Sequence, residues 1–133
     1  MDTNLQKKID IEALDISIDH SGKFAIPTII LSFFVVLTYC VVLFFFAIKL
    51  LSPTLTILFL IGITFASYVP MHEAVHGNIS GSNKKFRWLD KSIGHLMAPI
   101  IAIPFTSHKK EHLAHHRHTN TGDDPDVHIK NLF

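Results

Sequence analysis

Residues 24–48 read FAIPTIILSFFVVLTYCVVLFFFAI, and no charged side chain interrupts them. Lys23 and Lys49 stand at the two ends. A helix needs about 20 apolar residues to cross the hydrocarbon core of a bilayer. Inside lipid the backbone must satisfy its own hydrogen bonds, so this run is expected as a helix despite its many β-branched residues. Residues 50–53 make a tight connection, and residues 54–69 form a second uncharged run. The second run is short for a full crossing. Its helix is therefore expected to continue through Pro70, with a kink there, and to carry His72 and His76 just beyond the lipid.

Working outward, residues 1–23 are polar and lack the basic start, apolar stretch and small-residue cleavage site of a signal peptide. They are expected as an irregular tail, although the spacing of Ile9, Ile11, Ile16 and Ile18 would also suit a short strand. Residues 77–91 are polar and basic, with Lys84, Lys85, Arg87 and Lys91. Residues 93–105 are apolar but too short to span, and Pro99 and Pro104 interrupt them, so an interfacial or re-entrant segment is expected. The remainder is polar and rich in histidine. The expected fold is all-α: an integral membrane helical hairpin, then an interfacial segment, then a cytoplasmic histidine-bearing helix. Lys and Arg are concentrated on the side opposite the turn near Lys49, which places both ends of the hairpin and the histidines in the cytoplasm. A formal net charge of +1 offers no broad field for nucleic acid. The single cysteine, Cys40, excludes an intramolecular disulfide and any CxxC motif.

Seven of the ten histidines lie at two places. The first is His72-Glu73-Ala74-Val75-His76. Residues four apart on a helix sit about 40° apart on one face, so the two imidazoles can bind one metal ion. The second is SHKKEHLAHHRH, residues 107–118. On a helix His108, His112, His115 and His116 spread over roughly 100°, one imidazole stripe, while Lys109, Lys110 and Arg117 point elsewhere. His118 falls off the stripe. Clustered imidazoles do nothing for an apolar core and repel one another when protonated, which favours metal binding over a solvated face. Neutral imidazole suits Zn, Cu, Fe and Ni alike, so the metal is not named by these residues.

HEAVH after an apolar run, followed by HLAHH behind a second apolar segment, resembles the first two histidine boxes of the membrane fatty acid desaturase superfamily. Thr119 and Asn120 after the second box, with Asp123-Asp124-Pro125-Asp126, are similar to the residues beyond that box in bacterial and plastid members. The resemblance covers residues 24–126, with transmembrane helices at about 24–48 and 54–76. It implies two non-haem Fe ions held by His72, His76, His112, His115 and His116, with His108 added by the geometry of the stripe alone. It implies O2 as co-substrate, attack on an unactivated C–H bond of a fatty acyl or carotenoid-like lipid, and a separate electron donor of ferredoxin or cytochrome b5 type. One site can yield an alkene or an alcohol, so desaturase and hydroxylase stay open. Superfamily members carry a third HxxHH box after a second pair of helices. None occurs up to Phe133, so the chain is expected to be an N-terminal part whose missing ligands come from other polypeptide.

Two other classes compete. HEAVH also matches the HExxH motif, in which two histidines bind Zn and the Glu is a general base, as in membrane-embedded metalloproteases. That reading leaves the second stripe unexplained. A non-enzymatic metal-binding or transport protein would place ionisable groups along a path through the membrane, and residues 24–69 contain only Lys49. Asp123, Asp124 and Asp126 could orient ligating imidazoles or could form a solvated acidic turn. Asn78 and Asn120 are candidates for holding a metal-bound water. His95 is expected as an ordinary interfacial histidine, and His20 as part of the tail.

Overall fold

The computed structural model describes residues 7–9, 11–14, 22–119, 121 and 123–125. Pro27 opens the first long helix, α1 (Ile26–Ala47), where a missing N–H costs nothing. Its last carbonyls are taken up by the turn, with Leu50 N and Leu51 N both donating to Phe45 O. Helix α2 (Pro53–His76) begins just beyond, with Pro53 in its first turn and the Ser52 side chain accepting from Leu55 N. It passes through Pro70 without interruption, as expected, and carries both histidines of the first motif in its last turns. A short 3₁₀ turn (Lys84–Phe86) leads into α3 (Arg87–Ile101), and α4 (Phe105–His118) comes after it. Among the described residues there is no strand.

Both α1 and α2 are long and apolar enough to cross a membrane. Little of either helix is buried against the rest of the chain. Phe33, Phe44 and Phe65 are 64%, 60% and 77% exposed, part of a large apolar patch that water would not tolerate and lipid would. Three hydroxyls on these helices bond back to their own backbone, Ser32 to Thr28 O, Thr56 to Ser52 O and Ser67 to Thr64 O, while Thr64 donates across to Ile100 O at 3.4 Å.

The tightest packing lies elsewhere, where α2 leaves the apolar belt. Met71, Ala74, Ile79 and Met97 are completely buried there, between the end of α2, the following loop and α3. Asp90 anchors that loop. Its buried carboxylate accepts from Ile79 N at 3.0 Å, from Ser80 N at 3.4 Å and from the Ser80 hydroxyl. Arg87 donates to Gly77 O, and Ala25 N donates to Ile79 O, so the entry to α1 is tied to the same loop. Gly77 ends α2 with φ +72°, the left-handed conformation that glycine adopts without strain.

Helix α4 is held differently. Phe105 is buried against Gly94 so closely that an added Cβ there would lie 2.2 Å from the ring. This contact sets where α4 starts.

Two expectations need correction. The apolar stretch at 93–105 is joined to a helix that begins at Arg87, within the polar segment before it. The Asp90 carboxylate finds buried donors, and the helix can start earlier. Residues 7–9 and 11–14 are helical and exposed rather than irregular. Lys7, Lys8, Glu12, Ala13 and Leu14 are good helix formers that need no packing for a local turn. Ile16 and Ile18 lie outside the described residues.

Candidate metal centre

The parallel approach of α2 and α4 builds a ladder of rings. Tyr68 lies opposite His108 with centroids 6.2 Å apart, His72 opposite His112 at 4.8 Å, and His76 opposite His116 at 4.9 Å. Along α2, one helical turn separates Tyr68, His72 and His76. The same spacing on α4 separates His108, His112 and His116, which is why the rungs match.

The ligand atoms of His72, His76, His112 and His116 all lie within 4.8 Å of one another. His112 is their hub, with Nε2 3.1 Å from His76 Nε2 and 3.0 Å from His116 Nε2. Three of the four rings are half-buried and His116 is exposed. Such a cluster is unfavourable as a set of protonated rings. Burial first, then the charges that His72, His116, His76 and His108 would carry, push the His112 pKa down to about 4. The ring is therefore neutral at pH 7 and offers a lone pair.

The donor set fits a metal ion of the imidazole-binding class: neutral nitrogens, converging, from two helices. A second observation agrees. His108 Nε2 is buried with no hydrogen-bond partner among the described residues, an orphan that a nearby ligand would relieve.

The other candidates separate. His115 is not one of the four; its Nδ1 lies 2.8 Å from the buried Asp124 Oδ1. Asp123 is exposed, and Asp126, Asn120 and His20 lie outside the described residues. Asn78 donates to Glu73 Oε2 at 2.9 Å, and the other Glu73 oxygen is 3.5 Å from His72 Nδ1. Glu73 is not among the four converging ligands. His95 is exposed and its ring packs edge-on to Phe105, 5.1 Å between centroids. The sequence missed Asp90 and Arg87, which hold the loop after His76. Their only signal was an Arg-x-x-Asp spacing at the start of a helix.

The competition between metal and protons for these rings sets a pH dependence. The folded-state pKa of His112 lies below the ordinary value of 6.5. Its protonation is therefore harder in the folded cluster than in the unfolded chain. The cluster is fully stable above the ordinary value and loses that stability as pH falls through about 4. Metal retention, measured by metal analysis after dialysis across this range, is expected to fall with acid and to recover on neutralisation.

A long apolar hairpin ending in four converging imidazoles has the donor set of a histidine-box protein. The sequence profile of the fatty acid desaturase family matches residues 50–131, and the chain belongs to that family. Fatty acid conjugase FAC2 A of Calendula officinalis is 38% identical over 58 residues, 44% of this chain and 14% of that protein. A Delta(9) fatty acid conjugase-like enzyme of Dimorphotheca sinuata is 34% identical over 61 residues, 46% of this chain and 15% of that protein. The alignments thus cover about one seventh of each relative's length. No solved structure matches.

Proposed function

We propose that this chain supplies the first two histidine boxes of an O2-dependent oxidoreductase acting on a fatty acyl lipid. The convergence of His72, His76, His112 and His116 carries this reading. These four would hold one iron. His115 and His108 would face a second position, whose remaining ligands come from polypeptide outside these residues. Iron bound there supplies the oxidising power that no ordinary side chain has. The chain's own part is to hold neutral nitrogens in register on two helices, with the ladder's Tyr68 end toward the lipid and the His76 end away from it.

The overall reaction balances with a reductant. Removing two hydrogens from adjacent carbons yields two electrons and two protons. A donor of ferredoxin or cytochrome b5 type adds two more electrons, and with two further protons O2 becomes two waters. Hydroxylation would instead keep one oxygen atom in the lipid. The zinc-protease reading is not favoured, because a catalytic zinc needs only three protein ligands and leaves one of the four converging imidazoles, and the rest of the second stripe, without a role.

The protein is proposed to be multi-pass, with the histidines cytoplasmic beside Lys84, Lys85, Arg87 and Lys91. A cysteine placed at Ser82 should react with an impermeant reagent only after the membrane is opened. Labelling from outside intact cells would reverse the orientation. For the activity, membranes carrying the protein and an electron donor are given isotope-labelled acyl lipid with and without O2. An O2-dependent double bond or hydroxyl is expected. Peptide cleavage dependent on zinc, or iron uptake with no O2 consumed, would overturn the reading.

A further inference from the structure

We propose that the cavity between the start of α1 and the loop after α2 binds the phosphate of an anionic phospholipid, with Lys23 and Arg87 as its cationic partners. The inference rests on the reading of α1 and α2 as membrane-spanning and makes no use of the metal.

Three stretches of chain wall the cavity, residues 22–25, 76–78 and 81–82, and Arg87 completes it. Its volume of 570 Å³ falls in the range of about 300–1,000 Å³ usual for sites that take small molecules. The walls are fixed to one another. Ala25 N donates to Ile79 O at 3.1 Å, and Ser82 donates to Gly22 O through both N and Oγ, at 3.0 Å each. The Phe24 and Phe86 rings meet edge to face with 5.3 Å between centroids. At the closest points no side chain could be added. A Cβ on Gly81 would strike Gly22 O, and one on Gly77 would strike the Arg87 guanidinium. The space is thus set by the backbone.

Its charge selects an anion. Lys23 and Arg87 line it, and among the described residues no carboxylate does. Glu73 and Asp90 are engaged with other groups, Glu73 accepting from Asn78 at 2.9 Å and buried Asp90 from the Ile79 amide at 3.0 Å. Arg87 shares its charge with Asp90, 3.9 Å away, so the excess comes from Lys23. None of the ion pairs among the described residues involves Lys23. A guanidinium carries five N–H donors. The bond to Gly77 O uses one side of it, and the rest can meet phosphate oxygens in the paired geometry that arginine favours.

Depth selects a lipid as the source. Lys23 immediately precedes the uncharged run at 24–48, so in a bilayer it lies at the level of the headgroups. Basic residues at that level attract anionic lipids. Lys84, Lys85 and Lys91, all exposed, add to the field without lining the cavity.

The test extracts the 133-residue chain from vesicles of phosphatidylcholine containing a minority of phosphatidic acid and counts bound lipid by native mass spectrometry. One phosphatidic acid should stay on each chain. Lys23→Gln should weaken its retention about tenfold, the scale of one lost charge-assisted contact. Ala25→Phe fills the cavity with every charge kept and should abolish retention. Lys84→Gln and Lys91→Gln should change it far less. Slow exchange of the Ile79 amide reports that the loop of each variant is folded, and Lys23→Gln, at an exposed side chain, decides the matter if Ala25→Phe does not fold. Equal losses in all the lysine variants would show diffuse attraction and overturn the proposal. So would unchanged retention in a folded Ala25→Phe, or no preference for phosphatidic acid over phosphatidylcholine. Inorganic pyrophosphate, titrated against the chain in phosphatidylcholine nanodiscs, should bind weakly. Binding as tight as that of phosphatidic acid would assign the site to a soluble phosphate ester and overturn the lipid. A chain that does not enter vesicles at all would overturn the membrane reading, and pyrophosphate binding with and without Lys23→Gln would still decide the anion site.

Discussion

Replacing His112 with alanine should abolish iron retention, and His116→Ala should come close to the same result. Both rings belong to the four-nitrogen cluster, but His112 touches two of the others at 3.1 and 3.0 Å, so its loss opens the centre of the site. A metal-bound ring is a direct ligand, and its removal should exceed the about 10–100-fold loss typical of outer-shell changes. Glu73→Ala should weaken binding far less, because Glu73 is not one of the four converging ligands and touches only His72 among them, at 3.5 Å. His95→Ala should leave iron unchanged. Iron per chain, measured by mass spectrometry after purification, checks all four. If Glu73→Ala removed activity while His112→Ala kept it, the protease reading would gain and the desaturase-like one would fail.

The second large effect is expected at a residue that touches no histidine. Asp90→Ala removes the acceptor for Ile79 N, Ser80 N and the Ser80 hydroxyl, all inside the packed hub. A buried donor left without a partner costs about 1–3 kcal/mol. With two backbone amides affected, the destabilisation should be on the order of 3–5 kcal/mol. That is a large share of the stability of any domain. Asp90→Asn should cost less, since its side-chain oxygen can still accept from the amides. Hydrogen exchange at the Ile79 and Ser80 amides separates the two, with fast exchange expected in the alanine variant. Slow exchange there would show that the carboxylate does not hold the loop. Because this loop comes directly after His76, the alanine variant should also lose iron.

Much of this was legible in the sequence, for physical reasons that differ by element. The charge-free run at 24–48 announced α1 because lipid allows a chain few alternatives to helix. The matching turn spacing of His72–His76 and His112–His116 announced the cluster because a helix puts such residues on one face. The start of α3 was not legible, since nothing local shows that Asp90 would find three buried donors from a loop ten residues back. The place of His115 was hidden for the same reason. Its position on the stripe is a helical property, but its partner Asp124 depends on how the chain turns after α4. The helical stretches at residues 7–9 and 11–14 were expected as irregular tail, because polar composition was weighed above plain helix propensity.

The attachment of α4 has one more consequence. Of its residues only Phe105 is fully buried, Leu113 packs partly against the core, and the imidazoles meet those of α2. A shared ion would therefore act as a further cross-link between two segments joined by few buried apolar side chains. Loading then becomes a maturation step, and the unfilled protein carries its own mark of incompleteness. A protease that samples loose helices should cut between residues 106 and 118 in the unloaded form and spare the loaded one, so a cell could clear copies that never acquired metal.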